Sequence, residues 1–247
     1  MAIALIHEEK DFLVLDKPAG IAVHRAPLPG GQDTRVTEKT LADWLVEHYP
    51  EVKSVGDEPE VRPGIVHRLD KDTSGVMVAA RSQRAFEDLK ELFKTRRVRK
   101  KYLALAVGVP EKASGVIAIP VGRSVRNPMR REIGKRARGA RAAMTHYRIL
   151  ERFNGYSLLE VQPETGRMHQ IRVHLASIGH PVAGDKTYGG GKAALPGLAR
   201  QFLHASSLEF SYPDGRRWHF EAALPEDLKR VLAELRALRK RKSRDTM

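Results

Sequence analysis

The 247-residue chain contains no cysteine, so disulfides, thiolate metal sites and cysteine nucleophiles are excluded, and any catalysis must use oxygen and nitrogen groups. Long apolar runs are also missing. None approaches the ~20 residues that span a bilayer, which argues against a membrane partner. The opening segment from Met1 to Lys10 has no basic stretch and turns polar early, unlike a signal peptide, so a cytoplasmic protein is expected. Aromatic residues make up only 6%, which gives little support to broad base-stacking platforms. Acidic residues are scarce: 30 Asp and Glu stand against 44 Lys and Arg, a formal net charge of +14 that points to a polyanionic partner, nucleic acid first. The hydrophobic fraction of 41% is enough for a real core.

The basic residues come in blocks. Six of the eight residues from Lys94 to Lys101 are Lys or Arg, and the span Arg123 to Arg141 adds eight more. Each block alone reads as a solvated face, the usual fate of a charge run. Together, in a chain of this charge, they favour phosphate contacts.

The most informative segment is His67-Arg68-Leu69-Asp70-Lys71-Asp72-Thr73-Ser74-Gly75. It sets Asp70 between basic groups and a turn of small residues. Neighbouring positive charge favours a carboxylate, which can then act as nucleophile or base. The same residues would also serve a solvated turn between strands.

Local patterns order the rest. Ala2 to Ile6 and Phe12 to Leu15 form a hairpin pattern. Thr40 to Tyr49 carries helical spacing and stops at Pro50. Gly75 to Ala80 is strand-like, and Ser82 stands as N-cap before Phe86, Leu89 and Phe93. Tyr102 to Val107 and Val116 to Val121 read as strands about a Pro110-Glu111-Lys112 turn, and Tyr147 to Leu150 pairs with Tyr156 to Gln162 through Asn154-Gly155. Met168, Ile171, Leu175 and Ile178 mark a helix capped by Thr165 and closed by Gly179 and Pro181, with Arg167, His169 and Arg172 on its early turns, available for a site. A glycine-rich loop runs from Gly179 to Gly191. Leu228, Val231, Leu232, Leu235 and Leu238 mark a last amphipathic helix, followed by a basic tail from Arg239 expected not to fold. The fold class expected is α+β, a mixed and mainly antiparallel sheet flanked by helices, with one domain over 1–225 and the helix and tail over 226–247.

Several chemistries compete. A metal hydrolase from His169, His174 and Asp185 is disfavoured, because five-residue His spacing does not put both rings on one helix face. A serine hydrolase on Ser74 with His67 lacks the Gly-x-Ser-x-Gly elbow. A glycosidase wants two carboxylates, with Asp72 the doubtful second. Tyr102, just after the first basic block, is either a core strand aromatic or a site residue.

Asp16-Lys17-Pro18-Ala19-Gly20 with Val23-His24, His67-Arg68-Leu69-Asp70 with Thr73-Ser74-Gly75, and Lys101-Tyr102-Leu103-Ala104 with Gly108 occur here in order. They are followed by Thr165 to His174, Gly179-His180-Pro181, Gly184-Asp185, Tyr188-Gly189 and Leu203-His204-Ala205. This ordered set, from about Phe12 to Pro225, resembles the RluA family of RNA pseudouridine synthases. His67 in place of a glycine favours that branch over the RsuA branch. Val76-Met77 departs from the usual pair of leucines, a tolerable apolar swap. The chain is also expected to open directly into the catalytic domain without an S4 RNA-binding module, leaving RNA affinity to that domain.

The resemblance implies the pseudouridine synthase catalytic fold, ribosomal or transfer RNA as substrate, no cofactor and no metal, and a monomer. It implies that Asp70 is the essential carboxylate, adding at C1′ of the ribose or removing a proton at C2′. Tyr102 would stack on the base or assist proton loss at C5, and Arg167 would pair with Asp70. Arg68 would help hold open the RNA from which the uridine is flipped, with His67, His169 and Arg172 as further substrate-binding candidates. The competing reading is a non-catalytic RNA-binding or RNA-folding factor on the same fold.

Overall fold

A computed structural model describes residues 3–25, 38–127, 129–134 and 137–245, with the backbone alone from 240 onward. The chain divides into two compact units, Met1–Arg99 with Ser207–Ala222, and Lys100–Ser206 with Ala223–Met247.

In the first unit, β1 (Ala4–Glu8) and β2 (Phe12–Lys17) form the antiparallel hairpin that the sequence indicates. The apolar run Phe12 to Leu15 is fully buried, as an interior strand covered on both faces requires. β3 (Ser74–Ala80) pairs antiparallel with β2, from Phe12 opposite Ala80 to Lys17 opposite Gly75. Next to β3 lies β11 (Leu203–Ser211, in this unit from Ser207), with β12 (Arg217–Glu221) antiparallel on it. Helix α1 (Leu41–His48) starts at a reciprocal capping box: Thr40 Oγ1 accepts the Asp43 N–H at 3.2 Å, and Asp43 Oδ2 accepts the Thr40 N–H at 2.9 Å. Helix α2 (Gln83–Lys94) is capped by Ser82, whose Oγ accepts the Ala85 N–H at 3.2 Å. It buries Ala85, Phe86, Leu89 and Leu92.

The second unit holds β4 (Arg99–Val107, from Lys100), β5 (Ser114–Ile117), β9 (Thr145–Phe153) and β10 (Tyr156–Pro163). Their order is β4-β10-β9-β5. The β9–β10 hairpin turns at Gly155, whose φ of +77° favours glycine. A separate three-stranded sheet runs in the order β7-β6-β8, from β6 (Val121–Ser124), β7 (Arg131–Ile133) and β8 (Ala137–Arg141). All pairings with an established register are antiparallel. With four α-helices among the described residues, the fold is α+β.

Three local expectations are corrected. The strand expected over 116–121 is two strands in different sheets: β5 ends with Ile117 opposite Thr145 on β9, and β6 starts at Val121 after Pro120, which has no N–H for a ladder. The helix expected from Thr165 begins later, as α3 (Gln170–Ser177), preceded by His169 at φ +57°. Thr165 is not its cap. Its Oγ1 donates to Gln170 Oε1 at 2.7 Å and accepts the Met144 N–H at 3.2 Å, which ties this segment to the start of β9 before it can wind. Finally, α4 (Glu226–Asp245) carries helix through the tail expected to be unfolded. Lys and Arg are good helix formers and propagate a helix already nucleated by the buried face of Leu228, Val231, Leu232 and Leu235. Leu238 is exposed. Among the described residues, no helix is long and apolar enough to cross a membrane.

Candidate active site

Asp70 lies half-buried at the start of a turn into β3, where its carbonyl accepts the Thr73 N–H at 3.1 Å. Two buttresses fix that turn. The first is Lys17, fully buried at the end of β2, whose ammonium donates to the carbonyls of Pro18 (2.8 Å), Ile21 (2.8 Å) and Lys71 (3.0 Å). The Lys71 carbonyl also accepts the Gly20 N–H at 2.9 Å, so the Lys17-Pro18-Ala19-Gly20 segment and the Asp70 turn are held as one piece. The second is His67, whose Nε2 accepts the Val78 N–H at 3.0 Å while its ring stacks on Phe93 at 4.4 Å. Gly75, at φ +121°, supplies a conformation that side chains rarely adopt, just where β3 begins.

The cations flanking Asp70 in sequence have other engagements. The Lys71 ammonium lies 2.6 Å from Glu38, and Arg68 Nη1, on an exposed side chain, donates to His24 Nε2 at 3.3 Å. His24 Nδ1 faces the Arg25 carbonyl at 2.7 Å. Burial lowers the His24 pKa; the Arg25 carbonyl opposes this, and the Arg68 charge reinforces it. A neutral ring with a proton on Nδ1 satisfies both contacts. His67 therefore acts as a support of the Asp70 turn, and Arg68 is the outward-facing cation.

In the second unit, Tyr102 sits on β4 opposite Val161 of β10, half-buried against the core. The segment before α3 is pinned by Gln170. Its Oε1 accepts the Arg167 N–H at 3.0 Å as well as the Thr165 hydroxyl, and its Nε2 donates to the Met144 carbonyl and Thr145 Oγ1, both at 2.9 Å. Arg167 is half-buried and donates from Nε to the Ala142 carbonyl at 3.3 Å. His169 carries the left-handed backbone, and its Nδ1 bonds the Tyr188 hydroxyl at 2.9 Å. A non-glycine residue in this region stores strain that its surroundings must hold in place.

Arg172 is not available for a site, contrary to the sequence reading. It is buried and grips Asp185 with two parallel bonds of 2.7 and 2.9 Å, with a third to Thr187 Oγ1 at 3.1 Å. Burial alone would raise the Asp185 carboxyl. The Arg172 guanidinium and the N–H groups of Tyr188 and Thr187 outweigh it and hold the group below the usual carboxylate range. Tyr188 is flanked by the guanidinium groups of Arg172 and Arg130, 5.2 and 5.5 Å from its ring centre. His174 is buried between Thr145 Oγ1 and the Ile119 carbonyl. The trio His169, His174 and Asp185 is thus spent on internal contacts, and no group of three metal-ligating side chains occurs among the described residues.

Lys17, Gln170, Asp185 and Tyr188 are supports whose function the sequence reading did not assign. Buried Lys17 was the readable signal, because a lysine ending an apolar strand must find acceptors. Of the second basic block, Arg123 faces Arg131 and Arg138 across the small sheet, while Lys135 and Arg136 lie outside the described residues.

A family model described as RNA pseudouridylate synthase matches residues 11–177. A Chloroflexus aurantiacus protein named as an uncharacterized RNA pseudouridine synthase is 47% identical over 222 residues, covering 89% of this chain and 65% of that protein. A ribosomal large subunit pseudouridine synthase D of Nitrosomonas europaea is 41% identical over 241 residues, covering 95% and 65%. This chain therefore spans about two thirds of the length of those relatives. Among solved structures, human RNA pseudouridylate synthase domain containing 4 matches with a TM-score of 0.73 at 29% identity, covering 94% of this chain and 93% of that one.

Proposed function

The chain belongs to the RNA pseudouridylate synthase family, in its RluA branch, and on that premise we propose that it isomerises uridine to pseudouridine in RNA. The N1–C1′ glycosidic bond breaks, the base rotates, a C5–C1′ bond forms, and the proton lost from C5 is balanced by one gained at N1. No redox change or cofactor is needed. Asp70 serves either as nucleophile at C1′ or as base at C2′, Tyr102 faces the base, and Arg167 supplies the guanidinium that orients the carboxylate. Arg68 contacts the RNA around the flipped nucleotide, since a stacked base cannot be rotated.

The observation that carries this reading is the buttressed turn. A fully buried lysine spends its three protons on carbonyls to hold the loop that carries Asp70, and a stacked histidine holds its other side. A solvated turn would need neither. His67 is accordingly read as a positioning residue, and His169 as one through Tyr188. The substrate favoured is large-subunit ribosomal RNA, after the printed names of relatives, with transfer RNA as the other class. Residues 1–225 as the catalytic domain, a monomer and a cytoplasmic location complete the proposal.

Pseudouridine mapping on unmodified large-subunit ribosomal RNA and transfer RNA transcripts tests it. New pseudouridine in one class names the substrate. Binding to both without modification would favour the non-catalytic RNA factor.

A further inference from the structure

The first basic block is not uniform. Lys94 pairs with Glu91 at 3.3 Å and Lys101 with Glu160 at 3.6 Å. The Lys100 ammonium makes no hydrogen bond or ion pair among the described residues, yet it is the most deeply placed of the three. Burial alone pulls its ammonium from the ordinary 10.5 down to about 8.

Its position is specific. Side chains two apart on a strand share a face, so Lys100 stands beside Tyr102 while Lys101 turns to Glu160. Lys100 Nζ is 4.0 Å from the point a Cβ on Gly166 would occupy, and Gly166 immediately precedes Arg167. The ammonium therefore lies where the Tyr102 strand meets the Arg167 segment. A desolvated cation without a counter-charge is costly. Among the described residues no carboxylate pairs with it, and the ligand is the source of negative charge that would.

We propose that Lys100 is a phosphate-receiving group, its ammonium taking a non-bridging oxygen of the RNA phosphodiester next to the uridine held against Tyr102. This rests on the pseudouridine synthase reading above. A compact ammonium suits this role as a point charge on a phosphate.

The test is equilibrium binding of Asp70→Asn protein to unmodified large-subunit ribosomal RNA transcript across a range of KCl. Each lost contact to single-stranded RNA lessens the slope of log affinity against log salt by about 0.7. Lys100→Met is expected to lessen it by that amount and Lys100→Arg to restore it, while Lys112→Met, in an exposed turn, leaves it unchanged. An unchanged slope for Lys100→Met overturns the proposal even if affinity falls. Failure of Lys100→Met to fold also overturns it, because the uncompensated ammonium would then be a structural support. The catalytic reading is judged separately by wild-type turnover. Turnover with an unchanged slope refutes Lys100 alone, and a changed slope without turnover refutes the catalysis alone.

Discussion

Removing the Lys100 charge should make the RNA-free protein more stable. The drop from 10.5 to about 8 means that keeping the ammonium in the fold at neutral pH costs about 3 kcal/mol, at about 1.36 kcal/mol per pH unit. Below pH 8 both folded and unfolded chains carry the proton, and the full cost is present. Between pH 8 and 10.5 the unfolded chain holds more protons than the folded one, so stability rises with pH. Above 10.5 both are neutral and the cost is gone. Methionine keeps the length and most of the apolar stem without the charge. Urea unfolding of wild type and Lys100→Met at pH 7, followed by a pH series, should show the variant ahead by up to about 3 kcal/mol, with the gap closing between pH 8 and 10.5. Both proteins are measured at each pH so that the other titrating lysines cancel. A variant less stable than wild type at pH 7, or a gap that is flat with pH, would refute the reasoning.

Arg172→Ala should destabilise by about 3–5 kcal/mol, because it leaves the Asp185 carboxylate buried without its guanidinium; a urea midpoint shift worth under about 1 kcal/mol would contradict this. Arg167→Lys keeps a charge but loses the planar fork, so single-turnover rates on the modified transcript should fall clearly while RNA affinity stays within a few-fold; an unchanged rate would remove Arg167 from the orienting role. Replacing Lys94, Arg96 and Arg97 with Gln should flatten the salt dependence of RNA binding; an unaltered slope would make that block a solvated face.

What the sequence makes legible here is what short-range chemistry decides. The β1–β2 hairpin, the Ser82 cap and the Asn154-Gly155 turn depend on residues within a few positions of one another, and they stand where the sequence indicates them. The start of α3 was misplaced because Thr165 and Gln170 answer to Met144 and Thr145, some twenty residues upstream. Arg172 looked available because Asp185 lies beyond the helix that carries it. Among the site residues, Asp70 stands out through its neighbours and Lys17 through its place at the end of an apolar strand, but the carbonyls that Lys17 holds are displayed by no motif. Lys100 is hidden in a charge run, where strand alternation separates one half-buried lysine from its exposed neighbours.

The proposed role of Asp70 as the reacting carboxylate is open to a direct test. Tritium release from C5 of uridine-labelled transcript reads the isomerisation directly, with Asp70→Asn measured beside the wild type at equal RNA occupancy. The expected result is no release above background from the variant, with RNA affinity within a few-fold of wild type. Release by Asp70→Asn at a rate near that of the wild type would contradict the claim.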